Sequence, residues 1–268
     1  MTTMKSPSQH DRWRVWDLCP GYGDLLYRRA IGDLPEMESS KTVARLVRSW
    51  VRGGDSILDV GCGAGHYLRS LLREISAPFS YTGVDATAHY IDLARKAWKE
   101  QENARFEVAD IYALPFDDAE YDIVISCNLL LHLPSIKIPL QEIVRVSRRN
   151  ALIRTLVGDR SFRIQEVRNP SRDEGLGDED EFDEKGEPKN FNYYNIYKHS
   201  YIEKLLSRMP SVMSYRIIPD RDYDVAQLSA DLSQEAVDNT TRLVDGWQVN
   251  GYILQPWHFI LISVTDKL

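Results

Sequence analysis

Residues 57–66 read Ile57-Leu58-Asp59-Val60-Gly61-Cys62-Gly63-Ala64-Gly65-His66. Ile57, Leu58 and Val60 form a short apolar run, which suits a strand buried on both faces. Three glycines then turn the chain. Leu68, Leu71, Leu72 and Ile75 follow at the spacing that places apolar side chains on one face of a helix. Strand, glycine turn and amphipathic helix make half of a βαβ unit, with a ligand cradle at the C-terminal end of the strand. Glycine suits such a turn because a side chain would hold a ligand away from the backbone N–H groups.

The glycine spacing narrows the ligand. A dinucleotide fingerprint needs G-x-G-x-x-G, and the sixth position here is His66. The pattern instead runs D-x-G-x-G-x-G from Asp59 to Gly65. Further along, Ser80–Asp85 reads as a second strand ending in an acid, and Arg105–Asp110 as a third ending the same way. Tyr121–Ser126 supplies a fourth strand, leading to Cys127, Asn128 and the turn Leu-Leu-Leu-His-Leu-Pro. Helical periodicity over 88–100 and 136–147 falls between these strands, and residues 150–157 supply a fifth. Strands alternating with helices at this pace specify a doubly wound α/β fold with a parallel sheet. The periodicity resumes at 201–209 (helix), 213–218 (an alternating edge strand), 225–246 (a weak helix) and 259–264 (an apolar strand).

Together these motifs resemble the class I S-adenosylmethionine (SAM)-dependent methyltransferases. The likeness is closest to the small-molecule branch that includes the ubiquinone and menaquinone biosynthesis enzymes. It is carried by Arg105–Asp110 followed by Leu-Pro-Phe, and by Tyr121–Ser126 followed by Leu-His-Leu. It covers about 55–157 strongly and 198–265 more weakly. The resemblance implies a mostly parallel seven-stranded sheet with the last strand antiparallel, SAM as cofactor, and methyl transfer by in-line displacement to an O, N or C nucleophile of a small molecule. It also implies site residues. Gly61, Cys62, Gly63 and Gly65 would form the cofactor turn. Asp59 would help hold the methionine amino group, with the carbonyls of Gly61 and Cys127. Asp85, with Ala86 beside it, would take the ribose hydroxyls; Asp110 would take the adenine amino group while Ile111 packs on the ring. Asn128 borders the same space. The residues alone leave Asp85 open as a helix N-cap and Asp110 as a turn aspartate.

Composition excludes several other classes. The chain has 268 residues, a net charge of −7 and a pI near 5.4, an unpromising balance for nonspecific nucleic-acid binding. Three separated cysteines indicate neither a disulfide framework nor a metal knuckle, so no metal is expected. The N-terminal residues contain no apolar core of a secretion signal, and no run of 18 apolar residues occurs, which gives a cytoplasmic expectation with no membrane partner. Oligomeric state stays open. The chain divides into an N-terminal arm with helices covering the cofactor (1–54), a SAM-binding core (55–157), an inserted lid or substrate element (158–197) and a C-terminal part of the sheet (198–268).

The insertion breaks the rhythm. Nine of the fifteen residues in 173–187 are carboxylates, which reads as a solvated and partly mobile loop. Aromatic residues follow at once, however, and long insertions with aromatic ends are often functional. Tyr193, Tyr194 and Tyr197 are therefore expected to face the substrate. Arg160, with Arg154, Arg163, Arg168 and Arg172, is a candidate for meeting an anionic acceptor, the alternative being that these arginines merely balance the acidic run. Tyr22 and Tyr27 are candidates for a cation–π contact with the sulfonium. Of six histidines, His132 follows the fourth strand closely enough to be a candidate base, although a structural histidine in that turn is an equal reading. His66 reads as a packing or capping residue. Two other functions compete with methyl transfer. Tyr194 and Lys198 form the Y-x-x-x-K of short-chain dehydrogenases, but the glycine spacing is wrong and Glu181 stands where the serine of that family would fall. A non-catalytic SAM-binding regulator or scaffold is not excluded by any residue.

Overall fold

The computed structural model describes residues 12–168, 181–221, 242–244, 247–250 and 253–265. After a 3-10 turn at Val15–Leu18 come α1 (Pro20–Ile31) and α2 (Glu38–Arg48). The alternating core follows: β1 (Asp55–Val60), α3 (His66–Glu74), β2 (Phe79–Asp85), α4 (Ala88–Ala97), β3 (Ala104–Val108) and β4 (Tyr121–Cys127). A 3-10 turn at Leu130–His132 leads into α5 (Lys137–Val146) and β5 (Ser147–Gly158). Beyond these lie β6 (Phe162–Val167), β7 (Phe191–Lys198), α6 (His199–Leu206) and β8 (Val212–Pro219). The described residues end with β9 (Arg242–Val244), β10 (Trp247–Asn250), β11 (Ile253–Leu254) and β12 (Trp257–Val264).

The main sheet has the order β3-β2-β1-β4-β5-β12-β8. Strands β1 to β5 pair in parallel, while β12 runs antiparallel between β5 and β8. The expected seven-stranded sheet with its reversed last strand is therefore present. Its centre is dry on both faces because β1 sends side chains both ways. Leu58 and Val60 pack with Val124, Leu140 and Ile143 on one side, and Ile57 packs with Val43, Val47 and Leu71 on the other.

The departures lie outside this frame. Residues 158–197 are not merely irregular: β6 and β7 form an antiparallel ribbon, and β7 joins the end of β5 through Val157↔Tyr197 and Gly158↔Lys198. The carboxylate-rich residues 173–180 lie outside the described residues. So does most of the expected helix at 225–246, but its end at 242–244 is a strand, in a small antiparallel sheet with β10 and β11. No described helix is long and apolar enough to cross a membrane.

Candidate functional site

A cleft opens at the C-terminal ends of β1, β2 and β4, beside the switch in strand order where open α/β sheets bind ligands. It encloses about 1050 Å³ of empty space, its mouth included. Its floor is the glycine turn. Gly61 has φ of +81°, and a β-carbon there would lie 2.8 Å from the Leu129 side chain. Glycine is thus required by backbone and by space together.

Asp85 ends β2 and ties two turns together. One carboxylate oxygen accepts the Gly63 N–H at 2.9 Å, and the other accepts the Thr87 N–H at 2.9 Å. Burial raises its pKa and these two N–H groups oppose the rise. Thr87 is the residue preceding α4 and gives its own hydroxyl proton to Asp17 at 3.0 Å, which fastens the N-terminal 3-10 turn to this corner. Asp110 lies two residues beyond β3, accepts the Tyr112 N–H at 2.9 Å, and lines the cleft beside Ile111. Three elements supply the opposite wall: Trp13 and Trp16 from the N-terminal arm, Tyr22 from α1, and Leu129 and Leu133 from the turn after β4.

His132 sits within that turn and lines the cleft. Its Nδ1 lies 2.7 Å from the Tyr193 carbonyl oxygen. A carbonyl only accepts, so Nδ1 carries the proton and Nε2 keeps the lone pair. Trp16 and Tyr194 meet the ring edge-on, at 4.9 and 5.3 Å between centroids. Burial lowers its pKa to about 4, against the opposing effect of the Tyr193 carbonyl, so the imidazole is neutral at pH 7.

Residues 57–150 match the protein family described as "Methyltransferase domain". Residues 57–150 are a methyltransferase domain. Among curated relatives, it is 26% identical to the 2-methyl-6-phytyl-1,4-hydroquinone methyltransferase of Synechocystis over 54% of this chain and 48% of that one. It is 27% identical to the demethylmenaquinone methyltransferase of Staphylococcus aureus over 38% of this chain and 43% of that one. The chain thus spans about half the length of the curated relatives it matches. Solved structures share the fold: a SAM-dependent methyltransferase from Methanosarcina mazei has a TM-score of 0.52 at 16% identity, covering 82% of this chain and 96% of that one. One from Aquifex aeolicus has a TM-score of 0.50 at 15% identity, covering 92% and 98%.

The fold brings together at the cleft Gly61, Gly63, Asp85, Ala86, Asp110, Ile111, Cys127, Asn128, Tyr22 and His132. Other expected residues lie elsewhere. Asp59 is 2% exposed and lies beneath the turn, accepting the Tyr81 hydroxyl at 2.6 Å; burial raises its pKa to about 7. Cys62 points into the core between Gly83 and Phe106. Gly65 has φ of +74° and serves packing rather than a ligand: a β-carbon would come within 2.7 Å of Phe106, and its carbonyl accepts the Trp98 indole N–H. Tyr27 turns to α4, where the Lys96 ammonium lies 4.8 Å from its ring centroid.

The three insertion tyrosines do not line the cleft; they buttress the His132 turn. Tyr193 contributes its carbonyl, Tyr194 its ring edge, and the Tyr197 hydroxyl donates to the Leu130 carbonyl at 3.1 Å. Nor do the arginines form an anion site. Arg160 is exposed and away from the cleft, and Arg154 is buried against Asp220. Arg163 donates to the Pro134 carbonyl and Arg168 to Asn192 and Glu166, while Arg172 is outside the described residues.

Sequence reasoning missed much of the aromatic wall. Trp13 and Trp16 carried no periodicity to place them, and no motif singles out Tyr67, Tyr90 or Tyr112, which also line the cleft. His66, read as packing or capping, lines the cleft with a buried Nδ1 that has no hydrogen-bond partner. An orphaned buried acceptor or donor of this kind fits a site built around a polar ligand.

Proposed function

We propose that this chain transfers a methyl group from SAM to a small, largely apolar acceptor carrying an acidic hydroxyl, a hydroxylated aromatic ring being the best match. Gly61 and Gly63 would hold the cofactor by their backbone, Asp85 its ribose hydroxyls, and Asp110 with Ile111 its base. The glycine turn, the two acids at successive strand ends and the unpartnered His66 nitrogen fit such a molecule. When bound, SAM supplies an already activated sulfonium methyl, so the protein's task is to orient, to exclude water and to take a proton.

The observation that carries the reading is His132: a neutral imidazole with its Nδ1 proton committed to the Tyr193 carbonyl, in a cleft walled by tryptophan and tyrosine. The remaining lone pair on Nε2 is the proton acceptor. With a pKa near 4 it is a weak base. Its mismatch with a phenol-like hydroxyl is smaller than with an alcohol, which holds its proton several units more tightly. The names of the Synechocystis and Staphylococcus relatives point to the same acceptor class. The β6–β7 ribbon, which holds the His132 turn from outside, is proposed to close the acceptor side, and the N-terminal arm to cover the cofactor.

The test is incubation with labelled SAM and a panel of hydroquinones, catechols and simple alcohols, scored by S-adenosylhomocysteine release and product mass. Turnover confined to the aromatic hydroxyls supports the reading. Tight SAM binding with no turnover on any acceptor class would favour the non-catalytic regulator instead.

A further inference from the structure

Arg154 stands in the middle of β5, in the run Ala151-Leu152-Ile153-Arg154-Thr155-Leu156-Val157. An arginine in a central strand is costly to bury unless its charge and donors are all met. It is 5% exposed. Its charge is met by Asp220, whose Oδ2 accepts Nε at 2.7 Å and lies 2.6 Å from Nη2. The guanidinium carbon lies over the Trp257 ring, 3.9 Å from its centroid, and Nη2 also reaches the Gln248 side-chain oxygen at 3.4 Å. One arm remains, and Nη1 donates to Asn128 Oδ1 at 2.5 Å.

Asn128 is a cleft residue in an unusual state. It follows β4 with φ of +60°, a left-handed conformation that asparagine tolerates better than most side chains. Its backbone N–H donates to the Arg154 carbonyl at 3.0 Å. Guanidinium only donates, so Oδ1 must be the atom facing Arg154, and the amide NH2 must face the other way. There it lies 3.4 Å from the Tyr67 hydroxyl, which in turn donates to Ser39 at 2.9 Å. Tyr67 and Asn128 both line the cleft, and Arg154 does not.

We infer that Arg154 is a positioning residue: it locks the Asn128 amide so that the cleft meets hydrogen-bond donors there and never the carbonyl oxygen, selecting an acceptor group on the bound ligand. Asp220, Gln248 and Trp257 all hold Arg154, so these three residues from beyond β8 set the geometry of the ligand site although none of them lines the cleft. The inference rests on the reading that the cleft binds SAM and its product.

The experiment is calorimetric binding of S-adenosylhomocysteine, with melting temperatures, to wild type, Asn128→Ala, Asn128→Asp, Arg154→Met, Arg154→Lys and the Arg154→Met/Asn128→Ala double variant. Asn128→Ala and Arg154→Met should each weaken binding by about tenfold, the scale of one hydrogen bond. The double variant should bind no more than about threefold worse than the weaker single, because both changes remove one device. Arg154→Lys keeps the charge opposite Asp220 but not the three-way fork, so it should recover melting temperature without recovering affinity. Asn128→Asp places acceptors where donors stood and should bind worst. Unchanged affinity in a folded Arg154→Lys or Arg154→Met protein, or losses that multiply in the double variant, would overturn the inference while leaving the cofactor reading intact. Wild type that fails to bind S-adenosylhomocysteine would overturn both.

Discussion

At the scale of single residues, three positions do different work. Asp85, proposed to take the ribose hydroxyls, is also a structural tie, since its oxygens accept the Gly63 and Thr87 N–H groups. Asp85→Ala should therefore cost roughly 1.5–3 kcal/mol of SAM affinity, the range for a hydrogen bond to a charged group, and also lower the melting temperature. Calorimetry paired with thermal denaturation checks both, and full affinity in the folded variant would remove Asp85 from the ribose site. Gly65 is a packing glycine. Gly65→Ala must force a left-handed alanine and press its β-carbon to 2.7 Å from Phe106, so urea denaturation should show a loss of about 2–4 kcal/mol. His132→Ala should cut single-turnover rate by roughly 10²–10⁴-fold, the scale of general base catalysis, with SAM affinity little changed. Because burial lowers the His132 pKa to about 4, the wild-type rate should stay flat from pH 8 to 6 rather than fall through the ordinary histidine range. A variant that melts lower yet retains its rate per molecule would mark the ring as structural.

At the scale of elements, the arm that walls the cleft and the ribbon that supports the His132 turn are remote in sequence and hold each other. Arg12 pairs with Asp183 at 2.9 Å, its Nη1 donates to the Pro188 carbonyl, and the Phe191 N–H donates to the Arg12 carbonyl. The N-terminal arm carrying Trp13 and Trp16 is thereby hooked to the start of β7, which itself supports His132. Arg12→Ala should cost little global stability, about 1 kcal/mol or less, because the pair is partly solvated. Its effect should appear as a higher KM for the acceptor, read from initial rates at saturating SAM. Unchanged KM would show that the hook has no part in holding the cleft closed.

At the scale of the whole molecule, burial of ionisable groups sets opposing pH dependences. His132 titrates near 4 in the folded chain and at its ordinary 6.5 when unfolded. Between these values the unfolded chain binds a proton that the native state refuses, so this residue's contribution falls as pH falls from about 6.5 to about 4. Asp59 is the reverse. Its folded pKa is raised to about 7 from 3.8, so the native state holds a proton that the unfolded chain has lost, and its contribution rises as pH falls from about 7 to about 4. Denaturation of wild type, His132→Gln and Asp59→Asn across pH 4–7 isolates each. The stability of wild type relative to His132→Gln should decline on acidification and relative to Asp59→Asn should increase. Slopes of the same sign would contradict the burial of one of the two.

The doubly wound sheet was legible in the chain because it depends on local spacing, whereas its reversed last strand and the residues at the cofactor edge of the cleft came from the family resemblance of the motifs. The apolar run Ile57–Val60 requires cover on both faces wherever it sits, and the acids Asp85 and Asp110 fall at or just beyond strand ends in any register that keeps those strands buried. Which way a side chain turns at the end of a strand is not a local matter. Asp59 and Cys62 lie within the very motif that names the fold, yet Tyr81, Gly83 and Phe106 from neighbouring strands draw both into the core. The insertion tyrosines look like substrate contacts until β6 and β7 pair and β7 joins β5, which leaves their carbonyl, ring edge and hydroxyl against residues 130–133. The aromatic wall and the Arg154–Asn128 contact likewise join residues tens of positions apart. Such contacts are decided by how the layers close on one another, after every local preference has been satisfied.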